Sequence, residues 1–140
     1  MRALGIDMGK VRIGTAVCDP AGIVATPAKV IESKGHKKNA LAVAELADAV
    51  GAELIVVGMP VRMDGTEGPA AEFVKRFVDE LRAVSKTAVL TWDERLTSAQ
   101  AQKLMISADV SRKGRKEAVD SMAAAIMLQS FLDSRSLKGS

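Results

Sequence analysis

Three acidic positions in this chain are distinguished by their surroundings. Asp7 ends the apolar run Ala3-Leu4-Gly5-Ile6 and sits inside Gly5-x-Asp7-x-Gly9-Lys10-Val11-Arg12-Ile13-Gly14. An acid at a strand end can hold a metal ion. Glycines around it let a phosphate or another backbone come close, and Lys10 and Arg12 can hold a polyanion. Asp93 and Glu94 follow a second strand-like run, Thr87–Trp92, and precede Arg95. Asp120 lies in an apolar helical stretch, where a turn of about 100° per residue puts it on one face with Ala123, Ala124, Met127 and Phe131. A carboxylate in such company is costly to bury unless paired.

Carboxylates from two strand ends and a packed helix suit Mg²⁺ or Mn²⁺, which prefer oxygen ligands and keep water and phosphate in their shell. Two such ions about 4 Å apart would activate a water and stabilise the leaving oxygen in phosphodiester hydrolysis. Plainer roles compete. Asp93 or Glu94 could open a turn or face a helix dipole, and Asp120 could be a first-turn acid. The last is weakened because Asp120 lies about five residues into its helix, past the turn where the dipole acts most. An ion pair with Lys116 would also account for it. His36 is the one histidine and Cys18 the one cysteine, which argues against a zinc site built from those residues and against a Cys/His nucleophile pair.

The elements that must position these acids follow from periodicity. Ala3–Asp7, Arg12–Asp19 and Ile23–Ile31 are expected as three strands of an antiparallel meander, the third weakened by Pro27 into an edge strand or a bulge. Asn39 is expected to cap a helix reaching about Val50, stopped by Gly51. The continuous apolar run Leu54–Met59 predicts a strand covered on both faces. After a polar loop turning at Asp64-Gly65, Pro69 opens a helix whose apolar residues Ala70, Phe73, Val74, Phe77, Val78 and Leu81 recur at helical spacing. Thr87–Trp92 is the next strand. Thr97 or Ser98 caps a helix to about Ile106, and a last helix runs from about Arg115 to Asp133.

That order, a meander followed by βα units, predicts a mixed five-stranded sheet, three antiparallel strands plus two parallel ones, with helices packed on it. The strand at 54–59 belongs parallel to the first, since the meander occupies the first strand's other side. A switch point then forms at the C-terminal ends of those two strands, where open α/β sheets bind ligands, and Asp7 stands there.

Size and charge set outer limits. A chain of 140 residues, 48% hydrophobic, makes one domain with a real core, expected over 1–135 with a flexible tail at 136–140. A net charge of +3 permits a nucleic-acid partner without demanding one. The charge is unevenly spread: Lys34, Lys37 and Lys38 form one basic cluster, and Arg112, Lys113, Arg115 and Lys116 another, just before Asp120. Cys18 reads as a small buried hydrophobe. No membrane span is expected, because no apolar run approaches roughly 18 residues. Met1-Arg2-Ala3 leads directly into fold sequence, so a cytoplasmic protein is expected. Of the aromatics Trp92, Phe73, Phe77 and Phe131, three fit core positions, which leaves little for base stacking.

Four motifs now stand in order: Gly5-Ile6-Asp7-Met8-Gly9 with Arg12-Ile13-Gly14; Ile55-Val56-Val57-Gly58-Met59-Pro60 with Asp64-Gly65-Thr66; Asp93-Glu94-Arg95-Leu96-Thr97-Ser98; and Val119-Asp120-Ser121 with Ala124 and Leu128-Gln129. Together they resemble the YqgF family, also called RuvX-like, of bacterial pre-16S ribosomal RNA nucleases or Holliday junction resolvases. The resemblance spans nearly the whole chain. It implies an RNase H-like three-layer α/β fold, helices on both faces of the sheet, and a metal-dependent nuclease with acids at Asp7, Asp120 and the Asp93–Glu94 pair. Glu94 is the favoured second acid, as its longer side chain can reach inward, with Asp93 as fallback. Met59 stands where the family often has Leu, a volume-conserving departure.

The resemblance also implies a nucleic-acid substrate, either precursor rRNA or branched DNA, with ribosomal particles as further partners. Lys10, Arg12, Arg62, Arg95, Arg112, Lys113, Arg115 and Lys116 are the candidate phosphate contacts. Such contacts give salt-sensitive affinity and little base specificity. A solvated face is the plainer role for the basic run, and a solvated turn for the loop carrying Arg62. Two other functions compete. An actin-like or sugar-kinase-like ATPase has a similar first phosphate loop but closes two such domains around its nucleotide, and this chain supplies one. A ribosome-assembly protein without catalysis would be expected to lack one of the acids. Monomer and homodimer are equally compatible with the apolar last helix.

Overall fold

The structure, a computed structural model, describes residues 1–62, 64–94 and 115–139, with only the backbone of 115–120 and 136–139. Among these residues, six strands and three helices run in the order β1 (Ala3–Met8), β2 (Arg12–Cys18), β3 (Ala25–Pro27), β4 (Ile31–Glu32), α1 (His36–Val50), β5 (Leu54–Met59), α2 (Pro69–Val84), β6 (Ala88–Asp93) and α3 (Arg115–Gly139). The sheet order is β3-β2-β1-β5-β6, with β4 also paired to β2. β1 pairs antiparallel with β2 and parallel with β5, and β5 pairs parallel with β6. The α/β class, the meander and the position of β5 beside β1 are as the sequence predicts.

Among the described residues the sheet has six strands, not five, because the expected third strand is broken. Pro27 has no N–H for a ladder and ends β3. The chain leaves the β2 ladder after Ala28, whose N–H donates to Thr15 O, while the Thr15 hydroxyl donates to Lys29 O. Pairing resumes only at Ile31, opposite Ile13.

Helix α1 starts three residues before Asn39, at His36, after Gly35. Asn39 is not its cap. The buried Asn39 accepts the Lys34 N–H at 2.9 Å and donates to Ser33 Oγ at 3.0 Å, bracing the entry loop from inside. Gly51 ends α1 in the left-handed conformation, as expected. α2 begins at Pro69 and buries Ala71, Val74, Phe77, Val78 and Leu81, with Ala70 left exposed. The expected helix at 97–106 lies outside the described residues.

Alternation along the strands sorts the core into two layers. Leu4, Ile6, Ile13, Ile55, Val57 and Val89 face α1 and α2. Ala3, Ala16, Cys18, Leu54 and Val56 face Ala124, Ala125, Leu128, Phe131 and Leu132 of α3. Each fully buried Leu, Phe or Val adds roughly 1.5–3 kcal/mol. Cys18 is free and buried, as expected.

α3 continues to Gly139, six residues past its expected end. Its contact face also differs from the wheel drawn from the sequence: Ala124 and Ala125 are buried, whereas Ala123 is exposed. From Met122 to Leu128 every residue is apolar, so periodicity could not choose the face there. Gly5 chooses it: a Cβ there would lie 2.9 Å from Leu128 Cβ and 3.4 Å from the Ala124 carbonyl oxygen. Among the described residues no helix is long and apolar enough to cross a membrane.

Candidate metal and nucleic-acid site

Asp7 lies on the α3 face of the sheet, near the C-terminal ends of the parallel strands. Its cross-strand partner is Gly14, so no side chain crowds it from β2. On its other side, β5 runs from Val57, beside Ile6, to Gly58, also without a side chain. The second acid arrives over Gly58. A Cβ at Gly58 would lie 2.5 Å from Glu94 Oε1 and 3.1 Å from Glu94 Cγ and Cδ. Glu94 therefore folds back across β5, and its carboxyl shares a hydrogen bond with Asp7.

Asp93 takes another course. It pairs with Met59, whose side chain belongs to the opposite core layer, so alternation turns Asp93 from the Asp7 face. The pair that the sequence left open is thus separated by parity, and Glu94 is the acid brought to Asp7. Burial, then the charge of Asp7 and the hydrogen bond with it, then the charge of Asp93, push the Glu94 carboxyl up to about 7. Two carboxyls held this close favour a shared proton or a cation between them.

The third candidate, Asp120, sits in the N-terminal part of α3; its side chain lies outside those described. Its backbone position is set by its neighbours. Ser121 Oγ donates to Ala28 O at 2.8 Å, and Gln129 accepts the Ala25 N–H at 2.9 Å. Leu132 and Arg135 line a cavity with Met1. α3 therefore runs opposite to β1, with its start at the Asp7 end. Position 120 is one turn, about 6 Å, before Ala124, and Asp7 is two strand residues, about 7 Å, beyond Gly5. Ala124 lies against Gly5, so positions 120 and 7 stand at the same level. Among the described side chains, no three His, Cys, Asp or Glu residues form a metal-binding group.

The candidate cations are distributed around this edge. Arg12 is on the Asp7 face by alternation and pairs in register with Glu32. Lys10, two residues earlier, turns to the other side and lines a cavity with the start of α1. The two cations of the first motif therefore serve opposite faces. Arg62 lies in the loop after β5 with its guanidinium against Gly68, where a Cβ would be only 2.8 Å from a terminal nitrogen. That loop is a closed turn: Arg62 N–H donates to Thr66 O, and Asp64 accepts from the Thr66 N–H and hydroxyl. The backbones of Arg115 and Lys116 fall in the first turn of α3. Arg95, Arg112 and Lys113 lie outside the described residues.

Residues 1–134 match the family model described as RuvX: Holliday junction resolvase. The chain belongs to the RuvX family. A relative from Desulforudis audaxviator, named a pre-16S rRNA nuclease, is 42% identical over 135 residues, covering 96% of each chain. One from Bacillus cereus with the same name is 43% identical over 138 residues, covering 96% of this chain and all of the relative. Among solved structures, RuvC of Thermus thermophilus superposes with a TM-score of 0.62 at 14% identity, covering 97% of this chain and 96% of that one. The fowlpox virus resolvase, solved with Holliday junction DNA, gives 0.57 at 14% identity, covering 96% and 99%. These structures establish the resolvase-like, RNase H-like fold, as the four motifs implied.

Inspection of the sequence missed what Gly5 and Gly58 do. Both are isolated glycines inside strand patterns, a signal of close approach by another group. The sequence alone cannot say which group approaches.

Proposed function

We propose that this RuvX-family protein is a metal-dependent endonuclease that processes the 5′ end of precursor 16S ribosomal RNA in the cytoplasm, on ribosomal particles or their precursors. The observation that carries this reading is the convergence of Asp7 and Glu94 at the switch point of the sheet, with position 120 at the same level on α3. The names of the relatives supply the substrate.

A donor set of carboxylates, with no described histidine or cysteine at the site, fits a hard divalent cation. Asp7, Glu94 and Asp120 would hold Mg²⁺ or Mn²⁺, as two ions. When bound, these supply water activation and charge neutralisation at the scissile phosphate. Glu94, held at the Asp7 carboxyl, keeps the pair of acids from separating. Gly14 presents no side chain to Asp7 from β2, and Gly58 gives Glu94 its place beside Asp7. Arg12 and Arg62 orient the backbone at this edge, and the run from Arg112 to Lys116 grips it further along.

Cleavage of a Holliday junction is the second reading, favoured by the junction-bound fowlpox resolvase of the same fold. The deciding experiment sets wild type, Asp7→Asn and Asp120→Asn against a precursor 16S rRNA end and a four-way DNA junction, with Mn²⁺. Wild type should cut the RNA, and each variant should lose at least about 10²-fold. Equal cleavage by both variants would remove the proposed site. Cleavage of the junction alone would favour the second reading.

A further inference from the structure

On the sheet face opposite Asp7, a cavity of about 360 Å³ is lined by Lys10, Ser33, Lys34, Gly35, His36, Asn39 and Phe73. Its volume lies in the roughly 300–1,000 Å³ range of small-ligand sites. No acid lines it. Its cations come from separate segments: Lys10 from the β1–β2 turn, Lys34 from the loop before α1. The two are brought together because Ser33 N–H donates to Val11 O at 2.9 Å, which ties the loop to the turn. The floor is braced, since Asn39 is 2% exposed and holds both the Lys34 N–H and the Ser33 hydroxyl. One wall is a ring pair, His36 on Phe73 at 4.6 Å.

The first turn of α1 points to the charge of the ligand. It contains Lys37 and Lys38, has no acidic residue, and has no side-chain cap. Helix dipoles favour acids at this end and disfavour cations. Lys37 and Lys38 are both exposed and neither lines the cavity, but with Lys34 and Lys10 at the cavity they make this end of the helix cationic. Departures from local rules are expected at functional sites, and an anion between Lys10 and Lys34 offsets this charge.

We propose that this cavity binds a backbone phosphate of the nucleic acid, as a second grip across the edge of the sheet from Asp7 and Glu94. The proposal rests on the nuclease reading for its choice of polyanion. A strand lying over the β1–β2 turn meets the carboxylates on one side and this cavity on the other. Arg12 and Lys10, which diverge to the two faces, hold it from both.

The test uses the full chain in an Asp7→Asn background, which prevents cleavage during binding. Affinity for a single-stranded RNA is measured against salt concentration, with and without Lys10→Gln and Lys34→Gln. Each lysine removed should lower the slope of log K against log salt by about one, and Lys34→Arg should restore it. Backbone amides of Lys34 to Asn39 should shift on adding the RNA, and far less on adding inorganic phosphate at the same concentration. An unchanged slope with silent amides overturns the proposal. Saturation by inorganic phosphate that RNA cannot displace also overturns it, in favour of a free-phosphate site. If wild type cleaves no nucleic acid while the double variant still loses slope, the cavity stands and the nuclease reading fails.

Discussion

Asp7 and Glu94 meet across a strand that belongs to neither of them. Asp7 is on β1 and Glu94 follows β6, with β5 between, and the contact exists because Gly58 on β5 has no side chain to block it. The two carboxyls share a hydrogen bond and repel each other when both are ionised.

Burial of Glu94, and after it the charge of Asp7, makes the metal-free fold sensitive to pH. The Glu94 carboxyl is pushed up to about 7, against an ordinary 4.5. Between those values the folded protein retains a proton that the unfolded chain has released. The corresponding stability is fully present below pH 4.5 and is lost as pH rises through 7. The shift corresponds to about 3 kcal/mol, reduced to about 1–2 kcal/mol by solvent screening of a partly exposed group. Urea unfolding in EDTA at pH 5 and pH 8 should show this loss in wild type, and Glu94→Gln should flatten it. Equal slopes in both proteins would refute the assignment.

Neutralising either acid should separate stability from activity. Asp7→Asn removes one of two like charges, so in EDTA at pH 8 it should be more stable than wild type by about 1 kcal/mol and melt at a higher temperature. It should also lose the stabilisation that added Mn²⁺ gives wild type. Calorimetry with and without Mn²⁺ checks both effects, and a lower melting temperature in EDTA would contradict the like-charge account.

Gly58→Ala should damage the site more than the fold. The new Cβ meets the end of the Glu94 side chain, which can swing away at a cost below about 1 kcal/mol. On the nuclease reading Glu94 would be a metal ligand, and displacing such a group by an ångström can cost about 10²-fold in rate, so a kcat drop above about 10-fold with little change in melting temperature is the expected pattern. Full activity would mean that the position of Glu94 is unimportant.

Gly5→Ala should do the reverse. Its Cβ would meet Leu128 Cβ at 2.9 Å, an atom fixed to the α3 backbone, so the helix itself must shift. Overpacking of this kind costs about 1–3 kcal/mol, and the displaced helix carries Asp120 with it. Chemical unfolding should show the loss. A neutral substitution would mean that α3 is not seated on Gly5.

Replacing Arg112, Lys113, Arg115 and Lys116 with Ala should weaken RNA binding and flatten its salt dependence. The slope should fall by about one for each phosphate that is no longer neutralised. An unchanged slope takes this segment out of the substrate path.

What the sequence determined by itself was the sheet order, the three acidic segments and the family. These depend on local signals: continuous against alternating apolar runs, glycine and proline punctuation, and acids at strand ends. β5 beside β1 followed from connectivity, and α2 from its spacing. Pro27 was legible as a weakness but not as a break, because the gap depends on which carbonyls Thr15 and Ala28 reach. Asn39 misled because its side chain braces a loop from inside the helix instead of capping the helix from outside.

The tertiary structure alone decided between Asp93 and Glu94. Asp93, the last residue of β6, is turned from Asp7 by its pairing with Met59, and Glu94 after it is brought back over Gly58. The tertiary structure alone set the face of α3, since the unbroken apolar stretch Met122–Leu128 carries no directional signal and the choice lies with Gly5, far away along the chain. It also sent Lys10 and Arg12 to opposite faces and joined Lys10 to Lys34, because a cavity arises where chain segments meet and no single segment encodes it.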